Sequence, residues 1–385
     1  MKKKKKIAVV LSVKPQNGGE FQYASLIVQC MQKLSGKQFE VIAICTNRFW
    51  YRWCRQRQIP FVKCDWPHGT IKQLRQNLRF SLYSRVYNTY KTELGKLIRS
   101  EKIDVLFLTD QFKYVPNFNV KVITPVQDLM HRYEPDFPEV KNCYEWREVC
   151  LKCQAKYADF ILTDSKLGKK QFQESYLKKR KRKPTIVSLP FVIPKHIGEK
   201  REERIDIPDK YIFYPAQFWK HKNHIHLIKA IQLLKNSIDD IHLVLVGSEK
   251  NCYEEIKKYI VENGLENYVT ILGFVSDENI TYLYRHAVGL VMPSYFGPTN
   301  IPPLEAMALG CPVAVSNKYA MPEQVGNAGL LFNPDSPGEI ADCIKTMWTN
   351  DKVRKEMIAA GYKQSFKWTE KDFMKKVLKI VEGCL

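Results

Sequence analysis

The chain has 385 residues, with 61 Lys and Arg against 40 Asp and Glu for a formal charge of +21; that length exceeds one ordinary domain and suits two. Apolar residues are 45% and aromatics 12%, enough for packed cores, so disorder is excluded as the main state. No run approaches the roughly 20 apolar residues of a membrane span.

Met1 and Lys2 to Lys6 imitate the charged start of a signal peptide. The apolar run Ile7 to Val13 is at the short limit for one, and it enters Lys14-Pro15-Gln16-Asn17-Gly18-Gly19 without a small-residue cleavage site. It reads as a basic tag on the first strand of a cytoplasmic protein. Further strands are expected at 40–45, 103–108, 120–124, 160–164 and 185–191, with helix-period segments such as Gln22–Leu34 and Gln73–Arg99 between them. Pro194 to Pro208 reads as a linker, and the pattern then restarts. Strands are expected at 211–214, 241–246, 269–272, 288–292, 313–316 and 329–332. Helices are expected at 224–235, 253–263, 277–285, 303–309, 337–348 and 351–366. Alternation of this kind builds parallel sheets, so the expected fold is α/β with two Rossmann-like, doubly wound domains facing a central cleft. Their expected spans are 1–195 and 196–366.

The charge is one-sided: residues 1–200 hold 39 Lys and Arg against 17 Asp and Glu, the remainder 22 against 23. An anionic partner of the first half follows. Lys178 to Lys183 is an unbroken basic run, and Asn47 to Arg57 interleaves Phe49, Trp50, Tyr51 and Trp53 with arginines. Aromatic and basic residues together favour a membrane interface, so docking on an anionic membrane surface is expected. No nucleic-acid reader signature appears, and no nucleic-acid partner is expected. The eleven cysteines are scattered, and Cys150-x-x-Cys153 lies within the helical pattern Glu145 to Tyr157. This points to reduced, mostly buried thiols. His221, His224 and His226 lack the carboxylate or cysteine that would complete a metal set, and no metal is expected.

A dinucleotide glycine fingerprint and a Walker A loop are both absent; Val246-Gly247-Ser248-Glu249 is the nearest loop. The segment richest in chemistry is Met292 to Val313. A strand ends at Met292, a Gly- and Pro-rich loop follows, and Pro303 suits a first helical turn that also holds Glu305. Backbone N–H groups of Asn300 and Ile301 at that helix start are expected to meet phosphate or sugar oxygens. A carboxylate there can accept two neighbouring hydroxyls of a ribose.

Pro302-Pro303-Leu304-Glu305-Ala306-Met307-Ala308-Leu309-Gly310-Cys311-Pro312-Val313 resembles the signature of the retaining glycosyltransferases of family 4, which have the two-domain GT-B fold. The resemblance implies that Glu305 binds the nucleotide ribose. The family's partner glutamate, eight residues earlier, is replaced by Gly297, with Tyr295, Thr299 and Asn300 nearby. Tyr214 to His224 resembles the family's diphosphate loop, with Lys222 as its lysine and Gln217 where arginine is usual. Ile271 to Ser276 resembles its base-pocket loop, which assigns Phe274 and Val275 to the nucleobase. Gly18 and Gly19 match the glycines of its first loop, and Asp128 in Gln127-Asp128 matches its His-Asp turn. Asp128 and His131 are the acceptor-side catalytic candidates, with Lys222 and Glu305 on the donor side. The resemblance also implies a last helix within 367–385 that crosses back to the first domain. The implied activity is metal-independent, retaining transfer from a nucleotide-diphosphate sugar to a lipid-linked or polysaccharide acceptor, at the inner face of the membrane. No cofactor is implied beyond that co-substrate. A nucleotide-sugar epimerase of the same fold and a non-catalytic scaffold are the alternatives.

Overall fold

The structure is a computed structural model that describes residues 4–36, 39–65, 70–111, 117–194, 197, 202–297 and 299–385. The start of the basic tag (1–3), part of the expected linker (195–196 and 198–201) and Pro298 lie outside the described residues. The chain divides into two units, 1–133 with 142–191 and 370–385, and 134–141 with 192–369.

The first unit begins with β1 (Lys5–Leu11), α1 (Gly19–Leu34), β2 (Phe39–Cys45), α2 (Arg48–Gln56) and β3 (Phe61–Lys63). Next come α3 (Ile71–Arg79), α4 (Ser81–Lys91), α5 (Glu93–Ser100), β4 (Val105–Leu108), β5 (Lys121–Pro125) and α6 (Met130–Tyr133). After α7 (Pro138–Lys141), which groups with the second unit, follow α8 (Tyr144–Tyr157), β6 (Phe160–Thr163), α9 (Lys166–Phe172) and β7 (Thr185–Ser188). The strands form one parallel sheet in the order β3-β2-β1-β4-β5-β6-β7. Central strands such as β4, Val-Leu-Phe-Leu, are buried at every position because helices cover both faces.

The second unit runs β8 (Ile212–Pro215), α10 (His224–Leu234), β9 (Leu243–Val246), α11 (Tyr253–Glu262), β10 (Val269–Ile271), α12 (Asp277–His286) and β11 (Gly289–Met292). It continues with α13 (Ile301–Ala308), β12 (Val313–Ser316), α14 (Met321–Val325), β13 (Gly329–Phe332), α15 (Pro337–Thr349) and α16 (Asp351–Ser365). Its parallel sheet has the order β10-β9-β8-β11-β12-β13. α13 is stopped by Gly310 at φ +75°, where a Cβ would stand under 3.0 Å from the Tyr362 hydroxyl. The last helix, α17 (Glu370–Glu382), belongs to the first unit, packs on α1 and is pinned there by Lys33 on Glu370 at 2.7 Å.

The expected helical stretch Gln73–Arg99 is three helices. Phe80, at φ −109° and ψ 65°, and Thr92, at φ −87° and ψ 151°, both leave the helical region. Gly95 permits the doubling back, since a Cβ there would stand under 3.0 Å from the Asn88 carbonyl. The interfacial reading of 47–57 is corrected as well. Trp50 and Trp53 are buried, and the Trp50 indole donates to the Val13 carbonyl at 2.6 Å. Those aromatics serve the core, leaving Arg48, Arg52, Arg55 and Arg57 outside. Cys150 and Cys153 are buried thiols, and burial pushes Cys153 up to about 12. Among the described residues no helix is long and apolar enough to cross a membrane.

Candidate functional site

In a doubly wound sheet, ligands gather beyond the carboxyl ends of the strands where the strand order reverses. In the second unit that place lies between β8 and β11, and the loops leaving those two strands carry most of the expected donor-side residues. The β8 loop is laced to its neighbours: Phe218 N–H donates to the Ser248 carbonyl at 3.1 Å, and Gly247 N–H to the Gly273 carbonyl at 2.9 Å. Gly247 is obligatory, because a Cβ would stand under 3.0 Å from the Ala216 carbonyl. A 3-10 turn, Lys220–Lys222, then meets Asn223 at φ 57°. The buried amide of Asn223 donates to the carbonyls of Pro293 at 3.1 Å and Pro334 at 2.8 Å, tying this loop to those after β11 and β13. Tyr214 Oη donates to the Lys222 carbonyl at 2.9 Å.

So fixed, Lys222 sends Nζ to Asn300 Oδ1 at 3.1 Å. Asn300 precedes α13, is buried, and fills the space over Gly297, where a Cβ would stand under 3.0 Å from its side-chain amide. Where the resembled signature has its first glutamate, this chain has a glycine that admits Asn300, and Asn300 holds the lysine. Thr299 is half-buried beside it and Ile301 opens the helix. Two expectations are corrected here. The Asn300 N–H is not open to a phosphate, since it donates to Gln324 Oε1 at 2.9 Å. Glu305 lies in the second turn, because α13 starts at Ile301. The residue is 6% exposed, and Oε2 accepts from the Tyr284 hydroxyl at 2.7 Å, so the carboxylate is held in a fixed orientation.

Gln217 is half-buried, with Oε1 accepting from the Trp219 indole at 2.9 Å. At the end of β10, Phe274 is 90% exposed while Val275 packs on the core. A solvent-facing phenyl beside two glycine-dependent loops is a ready stacking surface. His221 is held through its N–H and ring Nδ1 by Glu139 Oε1 at 3.3 and 3.2 Å. Burial would raise the Glu139 carboxyl, but the His221 ring and amide outweigh it and hold it down at about 2. His224 is buried between Phe218 and Tyr214, with Nε2 donating to the Ala216 carbonyl at 3.2 Å, and burial lowers it to about 3. His226 turns to the Pro334 carbonyl at 2.9 Å, so the three histidines diverge.

In the first unit, Gly18 and Gly19 lie where the β1 loop enters α1. Gly18 takes φ 56° with open space around its Cα. Asp128 is bound up: Oδ1 accepts from Arg147 at 3.0 Å and the Met130 N–H at 2.9 Å, and Oδ2 from Gln111 at 3.1 Å. His131 is fully buried, with Nε2 at 3.1 Å from both Glu148 Oε1 and Tyr176 Oη. Buried there, its ring is not open to an acceptor, which corrects the expectation that it faces one. Arg132, the next residue, is held by Glu148 at 2.5 and 2.8 Å and keeps part of its side chain exposed. Desolvation pushes the Glu148 carboxyl up, but His131, Arg132, Tyr176 and Lys152 together hold it far below the ordinary carboxylate range.

Sequence reasoning missed Glu139, Asn223, Tyr284, Gln324 and Arg132. Asn223 alone left a trace, as a turn-forming residue just before a helical pattern.

The fold is GT-B. It superposes on the crystal structure of Anabaena HepE in complex with UDP and glucose with a TM-score of 0.71 at 16% identity, covering 99% of this chain and 100% of that one. Residues 198–364, within the second unit, match the family of glycosyl transferases group 1. The chain is 32% identical over 161 residues to O-antigen chain mannosyltransferase B of Escherichia coli, 41% of this chain and 42% of that one. It is 28% identical over 233 residues to O-antigen chain mannosyltransferase RfbU of Salmonella typhimurium, 60% of this chain and 62% of that one. The chain thus spans between about two fifths and three fifths of the length of these curated relatives.

Proposed function

We propose that the protein is a glycosyltransferase of surface glycan synthesis. It moves a sugar from a nucleotide-diphosphate sugar to a lipid-linked or polysaccharide acceptor, with retention and without a metal, at the cytoplasmic face of the membrane. The observation that carries this reading is the Lys222–Asn300 contact over Gly297, where the strand order reverses. The O-antigen mannosyltransferases and the UDP complex of HepE support the donor and pathway class.

Departure of a nucleoside diphosphate places negative charge on its terminal phosphate. Lys222 Nζ, oriented by Asn300, and the Ile301 N–H at the helix start are assigned to that charge. Glu305, braced by Tyr284, is assigned to the ribose hydroxyls, and Phe274 with Val275 to the base. Gln217, Thr299 and the Gly18-Gly19 backbone complete the donor side. On the acceptor side Asp128 is kept, with His131 acting through Glu148 to hold Arg132. Retention is ascribed to a front-face displacement in which the leaving phosphate helps to deprotonate the acceptor hydroxyl.

Calorimetric titration with UDP, GDP and their sugars tests this, followed by product analysis with and without acceptor. Tight binding of one nucleoside diphosphate is expected. Glu305→Gln should lower that affinity roughly 10- to 100-fold, the worth of a charged hydrogen bond. Failure to bind any nucleoside diphosphate, or release of an epimer with no acceptor present, overturns the reading.

A further inference from the structure

α4 is built inside out. Its inward side chains are polar, Ser84 and Asn88, hydrogen-bonded to each other at 3.1 Å. Its outward ones are Leu82, Tyr83, Val86, Tyr87 and Tyr90, each between 50% and 77% exposed, with Phe80 just ahead of the helix. At 100° per residue these five cover an arc of about 140° opposite Ser84 and Asn88. Arg85 flanks one edge of that arc and Lys91 the other. Tyr83 stacks on Tyr87 with centroids 6.3 Å apart, Arg79 lies over Phe80 at 5.3 Å, and Arg99 over Tyr90 at 4.7 Å. A contiguous exposed apolar face of this kind marks a contact site.

Charge identifies the occupant. Residues 66–92 contain no Asp or Glu, while Lys72, Arg75, Arg79, Arg85 and Lys91 fall among them. Arg85 also lines a cavity of about 380 Å³ in which Lys5 pairs with Asp104, and Lys121 and Arg182 with Asp159. A second copy of this face would oppose cations to cations, since a two-fold interface sets a patch against itself. Tyrosines with Leu82 and Val86 between basic flanks match the boundary between acyl chains and anionic headgroups.

We propose that α4 is the membrane-docking element of this protein. Its aromatic and aliphatic face enters the interface of an anionic bilayer, and the flanking cations hold the phosphates. This deepens the membrane-surface reading under Proposed function and relocates it from 47–57 to 80–91.

Flotation of the full chain with phosphatidylcholine vesicles, with and without one-third phosphatidylglycerol, tests it. The wild-type chain is expected to float with the anionic vesicles only. Leu82→Gln, Val86→Gln and Tyr87→Gln combined should abolish flotation. Arg79→Gln with Lys91→Gln should weaken it about 30-fold. Both variants should keep the wild-type melting midpoint and nucleotide affinity, because the altered side chains are exposed. Equal flotation of the triple variant overturns the proposal. So does absence of wild-type flotation, a self-association lost in the triple variant, or capture of single-stranded oligonucleotide in place of vesicles. Nucleotide titration on the same samples separates this outcome from the donor-side reading: a chain that floats but binds no nucleotide sinks only the latter.

Discussion

Lys222→Ala removes a cation that Asn300 holds in place at 3.1 Å. A charged hydrogen bond is worth about 1.5–3 kcal/mol, so nucleoside-diphosphate affinity should fall roughly 10- to 100-fold by calorimetry. Gly297→Glu recreates on paper the glutamate pair of the resembled signature, yet it should weaken binding. The new Cβ would displace Asn300, and φ +136° costs a non-glycine residue about 1–3 kcal/mol. A lowered melting midpoint and weaker titration are expected, and a gain in turnover would refute the steric account. Gly297 and Lys222 could each be located from the motifs. Their link through Asn300 could not, because it depends on where a buried amide points.

At the scale of elements, the loop after β8 and the start of α10 carry an acid sensitivity. His224 holds its ring neutral, with a pKa of about 3 against an ordinary 6.5. The unfolded chain therefore takes up a proton that the folded one refuses. Stability from this group is complete above about pH 6.5 and is lost as pH falls towards 3. Glu139, at about 2 against an ordinary 4.5, works in the same direction: its contribution is complete above 4.5 and is lost on the way to 2. Urea midpoints should thus decline from pH 7 to pH 4, and His224→Gln should flatten the upper part of that slope. Element boundaries were legible where chemistry marked them. β12 and β13 fall on the residues expected, as apolar runs enclosed by turns. α13 begins two residues early because Asn300, and not the proline pair, precedes its first turn. The stretch 73–99 hid two breaks, since Phe80 and Thr92 carry no breaker signal. The tryptophans of α2 misled, because an aromatic–arginine alternation suits a core helix with a charged outer edge as well as a bilayer surface.

At the scale of the molecule, the chain passes between units at 133/134, 141/142, 191/192 and 369/370. The second unit is therefore not one stretch. Residues 134–141 supply it with Glu139 for His221 and with Glu134, whose carboxylate accepts from the Tyr319 hydroxyl at 2.5 Å. The fragment 192–369 should bind nucleotide more weakly and melt lower than the same unit within the full chain. Glu139→Ala in the full chain should reproduce part of that loss, read by calorimetry and thermal denaturation. No spacing rule could pair residues 82 positions apart, and the expected boundary at 195/196 accordingly assigned 134–141 to the wrong unit.

That short excursion constrains how genes of this kind can recombine. A crossover near codon 192 would import a foreign loop after β8 while leaving behind the octapeptide that braces His221. Viable hybrids between such chains should therefore exchange the two stretches together, and library designs that shuffle halves at a single joint should recover mostly destabilised proteins.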